Sequence, residues 1–220
     1  MKQICQFYTL VEFSIDMKDI IFLVSDKNME FLLKGLLPRI PIIENIDSFS
    51  YDILIHSYRD PGIVKDADSF LRNFINKYSY AIVIFDYQGC GITNKNRSQI
   101  EEDINHRLSL SGWEAKCSVI CIDPELENWI WVNPRRIAEA IEWQEQTEIL
   151  DWLHQNQLKN PTSLKPTQPK ESFEALLKKS KTPRSSSIYE SIASTASYRN
   201  CIDPAFHKLL NTLKDWYSFQ

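Results

Sequence analysis

Tyr80-Ala81-Ile82-Val83-Ile84-Phe85-Asp86-Tyr87-Gln88-Gly89-Cys90-Gly91 decides the fold class. An unbroken run of strand-forming residues, then a carboxylate, then glycines describes a strand buried on both faces. Such a strand delivers an acid to the edge of a sheet. In open α/β sheets, ligands bind at the carboxyl ends of the strands. Asp86 is therefore placed to hold a cation or a polar ligand. Gly89 and Gly91 are candidate cofactor-binding positions, because glycine lets a backbone approach a ligand closely.

Outward from this stretch the pattern repeats. Ile20-Ile21-Phe22-Leu23-Val24 is a second apolar run, closed by Ser25-Asp26. Met29, Phe31, Leu32, Leu33, Leu36 and Leu37 carry helical spacing as far as Pro38. A short extended piece is expected over 40–43. Tyr51-Asp52-Ile53-Leu54-Ile55-His56 reads as another strand, and Arg59-Asp60-Pro61-Gly62 as a turn. Residues 66–78 form an amphipathic helix with Ala67, Phe70, Leu71, Phe74 and Ile75 on one face. After Gly91, Asn94 or Asn96 caps a helix running through Ile100, Ile104 and Leu108. Residues 116–122 are the last strand. Strands alternating with helices predict an α/β fold with a small, mainly parallel sheet flanked by helices.

Beyond Asp123-Pro124 the pattern is helical: 125–132, 134–158, 170–177, 188–197 and 204–216. Residues 160–169 hold three prolines and read as a linker. The expected organisation is an N-terminal extension over 1–16, an α/β domain over 17–158, a linker over 159–169 and a helical C-terminal region over 170–220. Met17-Lys18-Asp19 ahead of the first strand looks like an alternative start.

At 220 residues, with 43% hydrophobic and 25% charged content, the chain has the composition of a soluble globular protein able to bury a core. The net charge of -4 gives no global sign of nucleic-acid binding. From Lys159 onward, however, basic residues outnumber acidic ones. Two readings stay open: a nucleic-acid contact, or a tail that docks on its own acidic body. The five cysteines are scattered with no CxxC pair, which argues against a zinc knuckle and for reduced thiols in the cytoplasm. No apolar stretch reaches the length of a membrane span. Trp129 and Trp131 read as core or interface residues, and Cys117 and Cys121 as small buried hydrophobes.

Three acids stand at strand exits: Asp26, Asp86 and Asp123, with Glu125 and Glu127 just beyond the last. In a parallel sheet these ends share one edge. Clustered carboxylates suit Mg²⁺ or Mn²⁺, and such ions stabilise charge in phosphoryl transfer and phosphodiester hydrolysis. The same acids also serve as caps for the helices that follow. His56 leaves the second strand toward the same edge and is a candidate acid or base, or a satisfied loop histidine.

Strand, acid, helix, then strand-Asp-x-x-Gly-x-Gly resembles the TOPRIM fold of topoisomerases, primases and OLD-type nucleases. Pro124-Glu125-Leu126-Glu127-Asn128-Trp129 is similar to an element of small TOPRIM-like proteins of bacterial defence loci, the RloB-like group among them. Arg59-Asp60-Pro61-Gly62, Phe70-Leu71-Arg72, the Asp86 stretch, residues 183–189 and Asp203-Pro204-Ala205-Phe206 resemble the small TOPRIM-like component of methylation-associated anti-phage defence systems. The resemblance spans about residues 17–216.

The resemblance implies a catalytic and metal set of Asp26, Asp86 and Glu127, with His56 assisting and Mg²⁺ or Mn²⁺ as cofactor. The TOPRIM pattern is altered here. Its first strand ends in a glutamate, where this chain has Ser25-Asp26, and Gln88 stands where the pattern has its second aspartate. A neutral amide still ligates through oxygen but brings no charge. Lys178, Lys179, Lys181 and Arg184 lie in a basic, hydroxyl-rich stretch of the kind that contacts phosphate backbones, which makes DNA an expected partner. The resemblance implies a component of a multi-protein defence system. A free-standing Mg²⁺-dependent nuclease or phosphotransferase, and a non-catalytic structural adaptor, are the other readings.

Overall fold

The computed structural model describes residues 17–160 and 165–218. The N-terminal extension expected over 1–16, and residues 161–164 of the expected linker, lie outside the described residues. β1 (Lys18–Val24), β2 (Tyr51–Ile55), β3 (Tyr78–Asp86) and β4 (Cys117–Ile122) form one four-stranded parallel sheet in the order β2-β1-β3-β4. This is the small parallel sheet that the apolar runs announce. Side chains alternate across it. Ile20, Phe22, Val24, Ile82, Ile84, Ile120 and Ile122 enter the core on one face. Ile21, Leu23, Ala81, Val83, Phe85, Val119 and Cys121 enter the core on the other. Burial on both sides is why the strands read as continuous apolar runs.

α1 (Lys27–Leu36) covers the first face; α3 (Arg59–Leu71) and α4 (Arg97–Leu108) cover the second. The chain leaves β1 over one face to reach β2. It then crosses the other face to reach β3 on the far side of β1. The direction of winding reverses between β1 and β3, which opens a crevice at their carboxyl ends. Asn96 caps α4 in a capping box with Gln99, one of the two asparagines expected there.

Four local expectations are corrected. Residues 40–43 are not extended: α2 (Ile40–Glu44) follows a 3-10 turn at Leu37–Arg39. Pro38 and Pro41 sit in first turns, where a missing N–H costs nothing. The segment Arg59-Asp60-Pro61-Gly62 is the start of α3, for the same reason, and the helix kinks at Asp66 (φ -146°); the helix expected over 66–78 is therefore only the later part of α3, which ends at Leu71 and gives way to a 3-10 turn at Arg72–Phe74 before β3 begins at Tyr78. The single helix expected over 134–158 is two, α6 (Pro134–Ala140) and α7 (Ile149–Gln155). Between them Glu142 turns to φ 52°, and the Trp143 indole donates to the Thr147 carbonyl at 2.8 Å.

α5 (Glu127–Ile130), α8 (Pro169–Ser180), α9 (Ser186–Thr195) and α10 (Pro204–Tyr217) complete the first face. Trp129, Phe173, Tyr189, Ile192, Phe206 and Leu209 share one core cluster with β1 and β3. The C-terminal helices thus extend the sheet's own core. Trp129 and Trp131 are buried, and their indoles donate to Asp203 Oδ1 and to the Pro169 carbonyl. α9 lies so close to α1 that a β-carbon on Gly35 would sit 2.4 Å from the Glu190 carbonyl.

Candidate functional site

β1 and β3 are in register as far as Val24 and Ile84, so Asp26 and Asp86 leave adjacent strands at the switch-point crevice. Asp86 Oδ1 is buried and, among the described residues, has no hydrogen-bond partner, while the residue as a whole keeps partial contact with solvent. The Asp86 backbone N–H donates to Asp60 Oδ1 at 2.8 Å. Asp60 comes from the first turn of α3, and the Ser25 hydroxyl also supports its carboxylate. Asp26 Oδ1 accepts the Met29 N–H at 2.9 Å and caps α1.

Glu125 arrives from the loop after β4 and Glu127 from the first turn of α5, both buried. Glu127 Oε1 accepts the Tyr189 hydroxyl at 2.6 Å and Arg184 Nη2 at 3.2 Å. Arg184 also pairs with Glu174 through its other nitrogen. Glu125 Oε2 pairs with Lys170 Nζ at 3.2 Å.

The electrostatics follow from this crowding. Burial pushes the Asp86 carboxyl well above the ordinary carboxylate range, and Asp60, Glu127, Asp26 and Glu125 push it further. Burial also raises Asp60, against the Asp86 N–H and the Ser25 hydroxyl, which favour its charged form. Burial raises Glu127, with the Tyr189 hydroxyl working against it. Desolvation works against the Lys170 charge, but Glu125 outweighs it, and the net shift is upward.

The β3–α4 loop closes one wall. Tyr87 N–H donates to the Ile122 carbonyl and Gln88 N–H to that of Pro124, tying the exits of β3 and β4 together. Gly89 (φ 120°) and Gly91 (φ 83°) occupy backbone regions that favour glycine. A β-carbon on Gly89 would lie 3.7 Å from Asp60 Oδ2, so this turn passes beside the Asp60 carboxylate. Cys90 is buried, and its sulfur accepts the Ile92 N–H.

Asp26 and Glu127 each lie within electrostatic reach of Asp86. His56 is buried. Its Nδ1 accepts the Tyr58 N–H at 3.2 Å, and its Nε2 lies 2.9 Å from Asp66 Oδ1. Of the basic stretch, Arg184 reaches the crevice, Lys179 pairs with Glu145 at 2.9 Å, and Lys178 and Lys181 are exposed. Asp123 and Gln88 are exposed. Asp60 is not among the acids that the sequence pattern singles out. It has a signal, a carboxylate just past the exit of β2, on the same sheet edge. Lys170 has none, since it stands in an ordinary amphipathic helix, and Tyr189, though it closes the stretch 183–189 that carries the resemblance, has nothing in sequence to mark it as a partner of Glu127.

Among the described residues, no group of three His, Cys, Asp or Glu side chains is arranged to hold a metal ion. Mg²⁺ rarely needs such a cage. It is commonly held by one or two carboxylates and completed by water and substrate phosphates. Asp86, with an unpartnered oxygen, and the adjacent Asp60 fit that partial role. Glu127, engaged by Arg184 and Tyr189, does not fit it in this arrangement.

No family model and no curated protein matches the chain. Among solved structures, it is similar to the C-terminal region of the Burkholderia pseudomallei OLD protein. The identity is 13%, over 90% of this chain and 98% of that one, with a TM-score of 0.53. At that identity the likeness shows the fold. No helix among the described residues is long and apolar enough to cross a membrane.

Proposed function

We propose that this chain is a TOPRIM-like, nuclease-like component of an anti-phage defence system, acting in the cytoplasm with partner proteins on DNA. The motif resemblance around Asp86 and Glu127 supports the reading, and so does the likeness in fold to part of an OLD protein. The observation that carries the chemistry is Asp86 Oδ1, buried at the switch-point crevice beside other carboxylates and, among the described residues, without a hydrogen-bond partner. A buried carboxylate without a partner calls for a cation or a proton.

Asp86 and Asp60 would hold a Mg²⁺ or Mn²⁺ ion, with Asp26 beside them. When bound, such an ion supplies charge stabilisation for a phosphodiester in transfer or hydrolysis. The chain's own residues do the positioning. Asp60 fixes the Asp86 backbone, the Gly89 turn leaves room beside the Asp60 carboxylate, and exposed Lys178 and Lys181 offer positive charge to a phosphate backbone.

Titration calorimetry with Mn²⁺ on the wild type and on Asp86→Ala tests the site. Heat of binding is expected in the first and none in the second. Silence in both proteins would leave the adaptor reading, which the pairing of Glu127 and the capping role of Asp26 favour. The defence reading is tested by gene neighbourhood, with DNA methyltransferase and ATPase genes expected alongside.

A further inference from the structure

We propose that the outer edge of β2 pairs antiparallel with the same edge of a second copy of this chain, joining the two sheets into one, at a surface separate from the Asp86 crevice.

The two edges of the sheet, β2 and β4, are built differently. At the β4 edge, buried Glu101 of α4 accepts the Cys121 N–H on Oε1 at 2.8 Å, where a neighbouring strand would offer a carbonyl. Its Oε2 accepts Lys208 Nζ of α10 at 2.7 Å. α4 packs on one face of the sheet and α10 on the other, so this ion pair bridges the edge and obstructs a fifth strand.

β2 has no such bridge. The Ile20 N–H donates to the Ser50 carbonyl at 3.0 Å, and the His56 N–H to the Val24 carbonyl at 2.9 Å. Alternation between these two bonds turns the backbone groups of Asp52 and Leu54 toward β1. The N–H and C=O groups of Tyr51, Ile53 and Ile55 then point outward. No hydrogen bond from the described residues reaches them. Sheet edges are ordinarily guarded by lysine, proline or a bulge. Tyr51-Asp52-Ile53-Leu54-Ile55 holds none of these and runs in unbroken register with β1. Its one charge, Asp52, is already paired with Lys18 at 2.8 Å and accepts the Tyr78 hydroxyl at 2.5 Å. Ile55 is 39% exposed, and Tyr58 just beyond it 76%.

The order of residues along this edge selects its partner. A two-fold axis at Ile53 sets that residue against its own copy, Tyr51 of each chain against Ile55 of the other, and Asp52 against Leu54. Outward groups then meet outward groups, and every N–H finds a carbonyl. Aromatic and β-branched side chains pair across the axis on one face, which is favourable. On the other face each carboxylate meets an apolar residue, so no like charges stand directly opposite. A slip of one residue would set outward groups against inward ones. An edge complementary to itself closes as an isologous dimer. Strand direction reverses across the axis, so the two Asp86 crevices open at opposite ends of the joined sheet, each complete within one copy.

Sedimentation velocity on the full chain over about 1–100 μM, the range for a small interface, is expected to show a monomer passing to a dimer. Hydrogen exchange over residues 50–56 is expected to slow as the dimer forms. Ile53→Pro deletes an outward N–H and leaves the bonds to β1 in place, as prolines on edge strands do. The variant is expected to fold and to lose the dimer. Ile55→Lys, at the exposed end of the strand, is expected to give the same loss should the proline variant fail to fold. A wild type that stays monomeric throughout would overturn the proposal, whether solvent or another strand then holds the edge. A dimer that persists in the folded variants, or that leaves exchange over 50–56 unchanged, would place the contact on another surface and overturn it equally.

Discussion

Asp60 and Asp86 are joined by a hydrogen bond from main chain to side chain: the Asp86 N–H lies 2.8 Å from Asp60 Oδ1. The bond ties the end of β3 to the first turn of α3 and draws one carboxylate against another. Asp86 then keeps a buried oxygen that receives no donor from the described residues. The fold tolerates this like-charge contact at the edge where parallel sheets place their ligands.

That contact makes stability depend on pH. The folded state holds the Asp86, Asp60 and Glu127 carboxyls above their ordinary range, for the causes given above. A group raised in this way binds its proton more tightly folded than unfolded. Its contribution is fully present below the unfolded value, about 4, and is lost as pH rises through the folded value. Asp86→Asn removes the cost of ionisation. The variant is expected to melt above the wild type at pH 7, with the gap closing as pH is lowered toward about 4. A gap that stays constant in melts across that range would count against the assignment.

Tyr189 stabilises a buried charge. Tyr189→Phe keeps the ring packed on Phe173 and removes the 2.6 Å donor to Glu127. Hydrogen bonds to charged groups contribute about 1.5–3 kcal/mol, and a loss of that size is expected in urea unfolding. A change under about 0.5 kcal/mol, the range of surface substitutions, would mean that Arg184 alone satisfies Glu127.

Gly35 sets the distance between α1 and α9. Gly35→Ala would place a β-carbon 2.4 Å from the Glu190 carbonyl and 2.9 Å from Ser194 Oγ. Overpacking of this kind costs about 1–3 kcal/mol, more than alanine's better helix propensity returns. Denaturant unfolding is expected to show a net loss, because the clash is with backbone and the helices must part.

The basic stretch divides into paired and solvent-facing charges. Arg184 and Lys179 are paired within the chain, while Lys178 and Lys181 face solvent. If the surface engages duplex DNA, replacing Lys178 and Lys181 together is expected to lower the slope of log affinity against log salt by about 1.8, or ~0.9 for each phosphate no longer neutralised. Lys179→Ala is expected to change it less. Gel shifts at several salt concentrations read the slope, and identical slopes for all the variants would remove this surface from the interface.

Much of the fold is legible in sequence because its signals are local. Apolar runs such as Ile20–Val24 and Ala81–Phe85 mean strands wherever both faces are covered, and Asn96 with Gln99 marks a helix start by itself. Local reading fails where a proline opens a helix instead of breaking one. Pro41 and Pro61 stand in first turns, and only the surrounding backbone distinguishes a helix start from a turn.

The sequence by itself determined a parallel α/β sheet with carboxylates at its strand exits, because alternation and burial act over a few residues. The tertiary structure alone decided which carboxylates meet and what answers their charge. Crossover connections bring Asp60 of α3 against Asp86 of β3. The packing of α9 on α1 carries Tyr189 and Arg184 to Glu127, which lies 62 and 57 residues away in the chain. No local pattern encodes such pairings. They follow from how whole layers bury their apolar faces, and a side chain's charge environment is set only once those layers are in contact.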